Sequence, residues 1–345
     1  MPNTESKETA QVLQATTNRK GYEGTKIFLA ACEVNFRCCK NTPTRNWLVS
    51  YYYLRQMKNV EDFLKDAKFG LRRLGIKEDR TLFLDSGAFS FQNAAGCIPG
   101  RSNKDTDLLN SPALLQYALD YLEFIKKYGH YFDIIVEVDV DYILGVRKTR
   151  YLFERMRKEV PQLRPVWHIP RGDERWREEC QEFAYHGIEG VSRHKESPIS
   201  FYNEFIRYSH DKKSKVHGFA MTHESILMQV PFDSADSASW ILQAANGTIK
   251  TPFGTIIVSE RQVQNANITD GLNYGSMDTT KRQLVDSYIK HYGFTIEEIQ
   301  KEWKARAILN TYFYADLEKR INEKWKSELS KKVSQRFLFD GAQWK

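Results

Sequence analysis

The sequence contains no run of about eighteen apolar residues, so it has no stretch that reads as a membrane-spanning helix. Its opening residues, M-P-N-T-E-S-K-E-T-A, lack the apolar core of a secretory signal, and a cytoplasmic protein with no membrane partner is expected. Cysteine is scarce: 5 in 345 residues, odd in number, at Cys32, Cys38, Cys39, Cys97 and Cys180. That spacing does not suggest a disulfide framework, and free thiols are expected. A metal at Cys32, Cys38 and Cys39 needs a fourth ligand and regular spacing, and the sequence offers neither. No G-x-G-x-x-G follows the first apolar run, which argues against a dinucleotide-binding fold. Positive charge is in modest excess, 51 Lys and Arg against 44 Asp and Glu. A net +7 suits a polyanionic partner without requiring one.

A hydrophobic content of 41% can fill the core of one large barrel or of two ordinary domains. Buried strands are predicted at Thr25–Ala31, Thr81–Leu84, Asp133–Asp141, Arg164–Pro170, Gly187–Arg193, Lys215–Thr222, Ser234–Ser237 and Thr255–Ser259. Helical patterns lie between them, including an aromatic-rich stretch from Trp47 to Lys68 and segments at 111–128, 148–160, 174–186 and 198–208. Repeated strand and helix alternation predicts an α/β fold, and acids at successive strand ends favour a TIM (β/α)8 barrel. Residues 1–22 read as a flexible arm and 23–270 as the barrel. Residues 271–345 read as a helical C-terminal extension packed on it. Along that extension Lys301, Lys304, Arg306, Lys319, Arg320, Lys324, Lys326, Lys331 and Lys332 form either a phosphate-binding face or a merely solvated one.

The chemistry concentrates in two stretches. T-L-F-L-D-S-G-A-F-S-F-Q, from Thr81 to Gln92, delivers Asp85 to a turn of small residues that lets a ligand approach the backbone. P-F-D-S-A-D-S-A-S-W, from Pro231 to Trp240, places Asp233 and Asp236 among small residues after another apolar run. Two carboxylates at distant strand ends suit acid–base or nucleophilic work once a fold unites them. Spacing alone leaves Asp233 and Asp236 both open as the nucleophile. Glu137, Asp139 and Asp141 alternate along a third strand, His168 ends a fourth, and His217 and His223 read as hydrogen-bonded structural histidines. The loop from Gly96 to Ser111, with Arg101 and Lys104, reads either as a lid or as a solvated surface loop.

Asp85-Ser86-Gly87-Ala88-Phe89 is similar to the D-S-G-[GA]-F signature of the tRNA-guanine transglycosylase superfamily. Val216-His217-Gly218-Phe219, then His223 and Asp236-Ser237-Ala238, resembles the nucleophile region of its archaeosine-type members. The resemblance covers roughly residues 25–260, and each motif gains specificity from the order of the set. It implies Asp236 as nucleophile at C1′, Asp85 as the acid and base, and Asp139 as reader of the guanine edge. It further implies base contacts from His168, Gly190, Val191, Phe89, Ser86 and Gly87. His168 stands where the family usually carries Gln. The family's structural zinc motif, C-x-C-x2-C with a downstream His, is absent, since no cysteine follows Cys180.

The short chain, the missing zinc motif and the Asp-Ser-x-Ser-Trp ending look most like the bacteriophage branch that places 7-deazaguanines in DNA. The resemblance therefore implies exchange of guanine in DNA for a free 7-deazaguanine base, with no cofactor. It leaves open a homodimer or an accessory protein, and a host-cytoplasmic location if a phage encodes the chain. Arg101, Lys104 and Arg193 are the expected nucleic-acid contacts. Three alternatives stay open: the same chemistry on tRNA, a non-catalytic nucleic-acid-binding barrel, and a metal-dependent hydrolase using Asp139, Asp141 and His168.

Overall fold

Short apolar runs buried on both faces form parallel strands, since helices cover one side and the barrel interior the other. A computed structural model describes residues 22–94, 112–190, 198–259 and 272–340, with side chains to residue 328. Its strands are β1 (Lys26–Ala30), β2 (Asn46–Ser50), β3 (Thr81–Asp85), β4 (Ile134–Val136), β5 (Leu163–Arg164), β6 (Val166–Trp167), β7 (Tyr185–Ile188), β8 (Lys215–Gly218) and β9 (Ser234–Ser237). They make one nine-stranded sheet in the order β5-β4-β3-β2-β1-β9-β8-β7-β6. All of its pairings are parallel. β5 and β6 are halves of one segment interrupted at Pro165, which has no N–H for a ladder. Chain continuity there joins the sheet's two ends, and the Pro165 carbonyl accepts from Gly187 N at 2.9 Å. The result is the expected TIM-like α/β barrel with a helical C-terminal part.

Two segments behave differently from their sequence pattern. Trp47–Ser50, expected at the start of a helix, belongs with Asn46 to the barrel strand β2, pairing Trp47 with both Leu29 and Leu82. All five of its residues are buried, so the alternation that marks a half-exposed strand is absent. Helix begins only after it, at Tyr51–Leu54 and Val60–Phe69. Thr255–Ser259, expected as the eighth barrel strand, instead contributes to β11 (Gly254–Ile257). That strand pairs antiparallel with β10 (Thr248–Thr251), and with β12 (Leu272–Asn273) it forms a separate three-stranded sheet. A partner two residues away across Pro252-Phe253 closes with little entropy, whereas a parallel crossover needs a dozen residues or more. The third predicted strand is also shorter than expected, since only Ile134–Val136 is extended and Asp141 opens a helical turn.

Phe28, Leu48, Phe83, Val136 and Val166 fill the barrel interior together with Ile134, Tyr185 and Phe219. The long helix Trp303–Asp340 is tied to the barrel's N-terminal end. Its Glu318 accepts from Ile27 N at 2.6 Å and from Asn46 Nδ2 at 2.8 Å. Asn322 accepts from Thr25 N at 2.7 Å and returns a bond to the Thr25 carbonyl at 3.0 Å. This end of the barrel is therefore occupied by structure. A cavity of about 380 Å³ there is lined by Lys26, Tyr185, Lys215, Asp233, Ser234 and Glu318, among others.

Candidate active site

The strand ends at the opposite, C-terminal mouth carry the acids, as in barrels whose sites are built from loops on that face. Asp85 closes β3, Asp139 follows β4, His168 follows β6 and Asp236 lies in β9. Of these four, Asp139 and His168 lie in contact, and Asp85 is joined to Asp139 through the neighbouring Ser86. Ser86 Oγ donates to Asp139 Oδ1 at 3.0 Å, and Gly87 N donates to Asp85 Oδ2 at 2.9 Å. His168 Nε2 lies 3.6 Å from Asp139 Oδ2, and its Nδ1 lies 2.9 Å from Asp141 Oδ2. Asp236 joins the group electrostatically, since its charge acts on Asp85.

Asp85 and Asp236 sit in opposite environments. Burial, then the Asp139 carboxylate, pushes the Asp85 carboxyl up to about 8, with Asp236 and Glu33 adding to the shift and Gly87 N–H opposing it. At neutral pH Asp85 therefore holds a proton. Asp236 is buried and accepts two hydrogen bonds, from Ala220 N at 2.9 Å and from His217, whose Nε2 lies 3.2 Å away. Ala220 makes its bond from a left-handed backbone, φ 53°, a conformation that a non-glycine residue adopts at a cost. Two carboxyls at one mouth, one raised by burial and one accepting two hydrogen bonds, make a pair of the kind that glycosyl transfer uses.

Asp139 is raised by burial, against the opposing effects of His168 and the Ser86 hydroxyl. For His168, burial alone would lower the imidazolium, but Asp141 and Asp139 outweigh it and the net shift is upward. Asp141 is held low: burial works against it, and His168 and Arg171 prevail. Gly190 is exposed at the end of the segment after β7. Phe89 is 64% exposed in the helix Ala88–Ala94 beside the mouth. Val191, Arg193, Arg101 and Lys104 lie outside the described residues, as does the loop 95–111.

Several sequence-level alternatives are decided by position. Asp233 precedes β9 at the N-terminal end, where His210 Nε2 lies 2.6 Å from its Oδ2 and Val216 N donates to the same oxygen at 2.8 Å. It lies at the opposite end of the barrel from Asp85, Asp139 and His168. Glu137, Asp139 and Asp141 do not share one face. Glu137 and Asp141 bind Arg171, each at 2.8 Å, while Asp139 turns toward Ser86. His223 is exposed and pairs locally with Ser225, and Cys32, Cys38, Cys39 and Cys180 are buried free thiols. Among the described residues no group of three or more His, Cys, Asp and Glu is arranged to hold a metal.

Sequence reasoning missed two members of the site. Glu33, just after β1, is buried with one oxygen accepting from Ser50 N at 3.3 Å and the other without a hydrogen-bond partner. Burial lifts it to about 7. Tyr142, 48% exposed, stacks on the His168 ring at 5.7 Å, and its hydroxyl donates to Glu189 at 3.0 Å. Neither carried a motif, although an acid three residues beyond a buried strand is the pattern that Asp139 also shows. No family model matches the chain, and no curated protein matches it either.

Proposed function

We infer that this barrel is a DNA-guanine transglycosylase that exchanges guanine in DNA for a free 7-deazaguanine base. One observation carries the proposal: Asp85 and Asp236 stand at the same barrel mouth, the first pushed up to about 8 by burial and the second accepting hydrogen bonds from Ala220 N and His217. In the first half-reaction the C1′–N9 bond breaks, an Asp236 oxygen bonds to C1′, and the Asp85 proton leaves with guanine. In the second, Asp85 takes the N9 proton of the incoming 7-deazaguanine, whose nitrogen bonds to C1′ and releases Asp236. Two inversions retain the configuration.

Asp139 supplies the recognition. Its carboxylate accepts from the N1–H and the exocyclic amine of a guanine-like base, an edge adenine cannot offer. Ser86 and His168 fix its orientation, and Phe89 and Tyr142 offer exposed rings beside the pocket. A base reaches this mouth only outside its stack, so the target is flipped or single-stranded.

The test is incorporation of radiolabelled guanine into duplex DNA, single-stranded DNA and tRNA, with Asp236→Ala as the control. Label entering DNA and vanishing in the variant is the expected result. Label entering tRNA alone moves the chemistry to another substrate, and equal labelling by Asp236→Ala removes Asp236 as the nucleophile.

A further inference from the structure

Among the described residues, one helix of the barrel wall concentrates positive charge beside the candidate site. Val146–Glu159, V-R-K-T-R-Y-L-F-E-R-M-R-K-E, leaves the C-terminal mouth directly after the turn that carries Asp141 and Tyr142. It buries Thr149, Phe153 and Met156 against the barrel. At about 100° per residue, Arg147, Lys148, Tyr151, Arg155 and Lys158 fall together in the opposite sector, and all five are exposed. Tyr151 is 69% exposed, the largest exposure among the bulky apolar and aromatic side chains described. Among the described residues no carboxylate lies within ion-pair distance of Arg147, Lys148, Arg155 or Lys158. Of the helix's four other charges, Arg157 binds Glu182 and Glu159 binds Lys126, while Arg150 and Glu154 flank the sector on one edge.

In the C-terminal helix, the other basic stretch of the sequence, four of the described basic residues are tied to the fold, while Lys304 and Lys326 are exposed. Arg306 is buried and donates to the carbonyls of Ala244 and Ile299, each at 2.8 Å. Arg320 binds Glu224, Lys319 lies 3.5 Å from Asp316, and Lys324 donates to the Met228 carbonyl. A face built from basic residues around an exposed aromatic ring suits a phosphate backbone with an unstacked base near it. From Arg147 to Lys158 the helix rises about 16 Å, a length matching about five phosphates along one strand of a duplex at ~3.4 Å each.

We propose that the exposed face of Val146–Glu159 is the DNA-docking surface, holding the strand whose base enters the mouth at Tyr142 and His168. This rests on reading the site as one for base exchange in DNA. It places the phosphate contacts on Arg147, Lys148, Arg155 and Lys158, with Tyr151 against a neighbouring base.

The test measures the salt dependence of binding to a fluorescent single-stranded DNA and to tRNA. It compares wild type, a stripe variant (Arg147→Gln, Lys148→Gln, Arg155→Gln, Lys158→Gln) and a control variant (Lys281→Gln, Lys290→Gln, Lys301→Gln, Lys304→Gln). All eight positions are exposed, and circular dichroism checks the fold. Loss of four phosphate contacts lowers the slope of log K against log salt by about 3 and weakens binding at low salt by tenfold or more, on the order of 0.7 per charge for single strands. The control keeps the wild-type slope. A slope carried by the control set, binding to tRNA alone, or no binding to DNA overturns the proposal. Stripe-dependent DNA binding without base exchange defeats the reading of the site and leaves the surface standing. Exchange with a stripe-independent slope does the reverse.

Discussion

His217 Nε2 lies 3.2 Å from Asp236 Oδ1, and on the other side of the ring Nδ1 lies 2.9 Å from Ser234 Oγ. Ser234 Oγ is in turn 2.5 Å from the Tyr185 hydroxyl. A carboxylate only accepts, so the network assigns the proton to Nε2, the Ser234 hydroxyl donates to Nδ1, and Tyr185 donates to Ser234. The imidazole is fully buried and wedged between Phe83, at 4.5 Å between ring centres, and Phe219, at 4.6 Å. His217 is thus a positioning residue that fixes where the Asp236 oxygens point. His217→Ala should lower kcat about 100-fold, the penalty of a carboxylate misplaced by roughly an ångström, and leave KM for the incoming base nearly unchanged. His217→Gln, which restores a donor, should recover part of the loss. An equal fall in kcat and rise in KM for both variants would sink the positioning role.

Asp85 makes two pH predictions from one shift. Its carboxyl titrates at about 8 in the folded protein, well above the ordinary carboxylate value. As the proton donor it should impose an alkaline limb on kcat/KM with an apparent pKa near 8, and Asp85→Asn should abolish the exchange. The stability effect has the opposite sign to an ordinary ion-paired acid. A raised carboxyl contributes fully below its unfolded pKa, and that contribution is lost as the pH climbs through the folded value. Asp85→Asn should therefore gain thermal stability relative to wild type at pH 9 and not at pH 4. A constant difference in Tm across that range would show that the carboxyl is not perturbed.

The barrel was legible because seven of its strands end in chemistry or in turn residues that punctuate the sequence, and the acids at β3, β4 and β9 stood at those ends. β2 was not, because N-W-L-V-S has no polar face to give it a period and runs straight into Tyr51–Leu54. Thr255–Ser259 misled because its short-range partner, Thr248–Thr251, could be recognised only from a turn that the pattern does not announce. In the site, position placed acids at the strand ends, but preferring Asp236 to Asp233 and Asp139 to its neighbours rested on the resemblance. The donors to Asp236 followed from neither, since Ala220 contributes a backbone N–H and His217 looked like any buried histidine. The basic face of Val146–Glu159 was hidden for a similar reason. Its charge is ordinary in amount, and its meaning depends on which charges the fold has already paired.

Gly87 turns the chain between Asp85 and the helix Ala88–Ala94 with φ 71°, and a Cβ there would lie 2.5 Å from Ser50 Oγ and from Tyr52 Cβ. It would also sit 2.8 Å from the Tyr52 backbone nitrogen, which cannot move aside as a side chain can. Gly87→Ala thus combines a left-handed alanine, about 1–2 kcal/mol, with overpacking of about 1–3 kcal/mol. It should lower the denaturant midpoint and displace the N–H that Asp85 accepts. Wild-type stability together with wild-type activity would show that the turn has room that the backbone geometry denies it.

Arg171 is the buried centre of a second carboxylate group, beside the site and outside the barrel wall. Its guanidinium reaches Glu137 and Asp141, each at 2.8 Å, and Glu179 at 3.3 Å. All three acids are buried, and Glu137, Asp141 and Glu179 each keep one oxygen without a hydrogen-bond partner. Burial raises Glu137 to about 7 even with the arginine opposing it. Arg171→Met should therefore destabilise the fold by about 3–5 kcal/mol, the usual result of stranding buried charge. Without the guanidinium the acids should titrate higher still. The folded pKa values of Glu137 and Glu179 then lie further above the unfolded ones and Asp141 loses a partner that lowers it, so the penalty is largest at high pH and relieved as the carboxyls take up protons. Urea midpoints of wild type and variant at pH 8 and pH 5 check this: the gap should narrow on acidification. A gap of the same size at both values would mean that the loss comes from packing alone and that Arg171 does not hold these acids ionised.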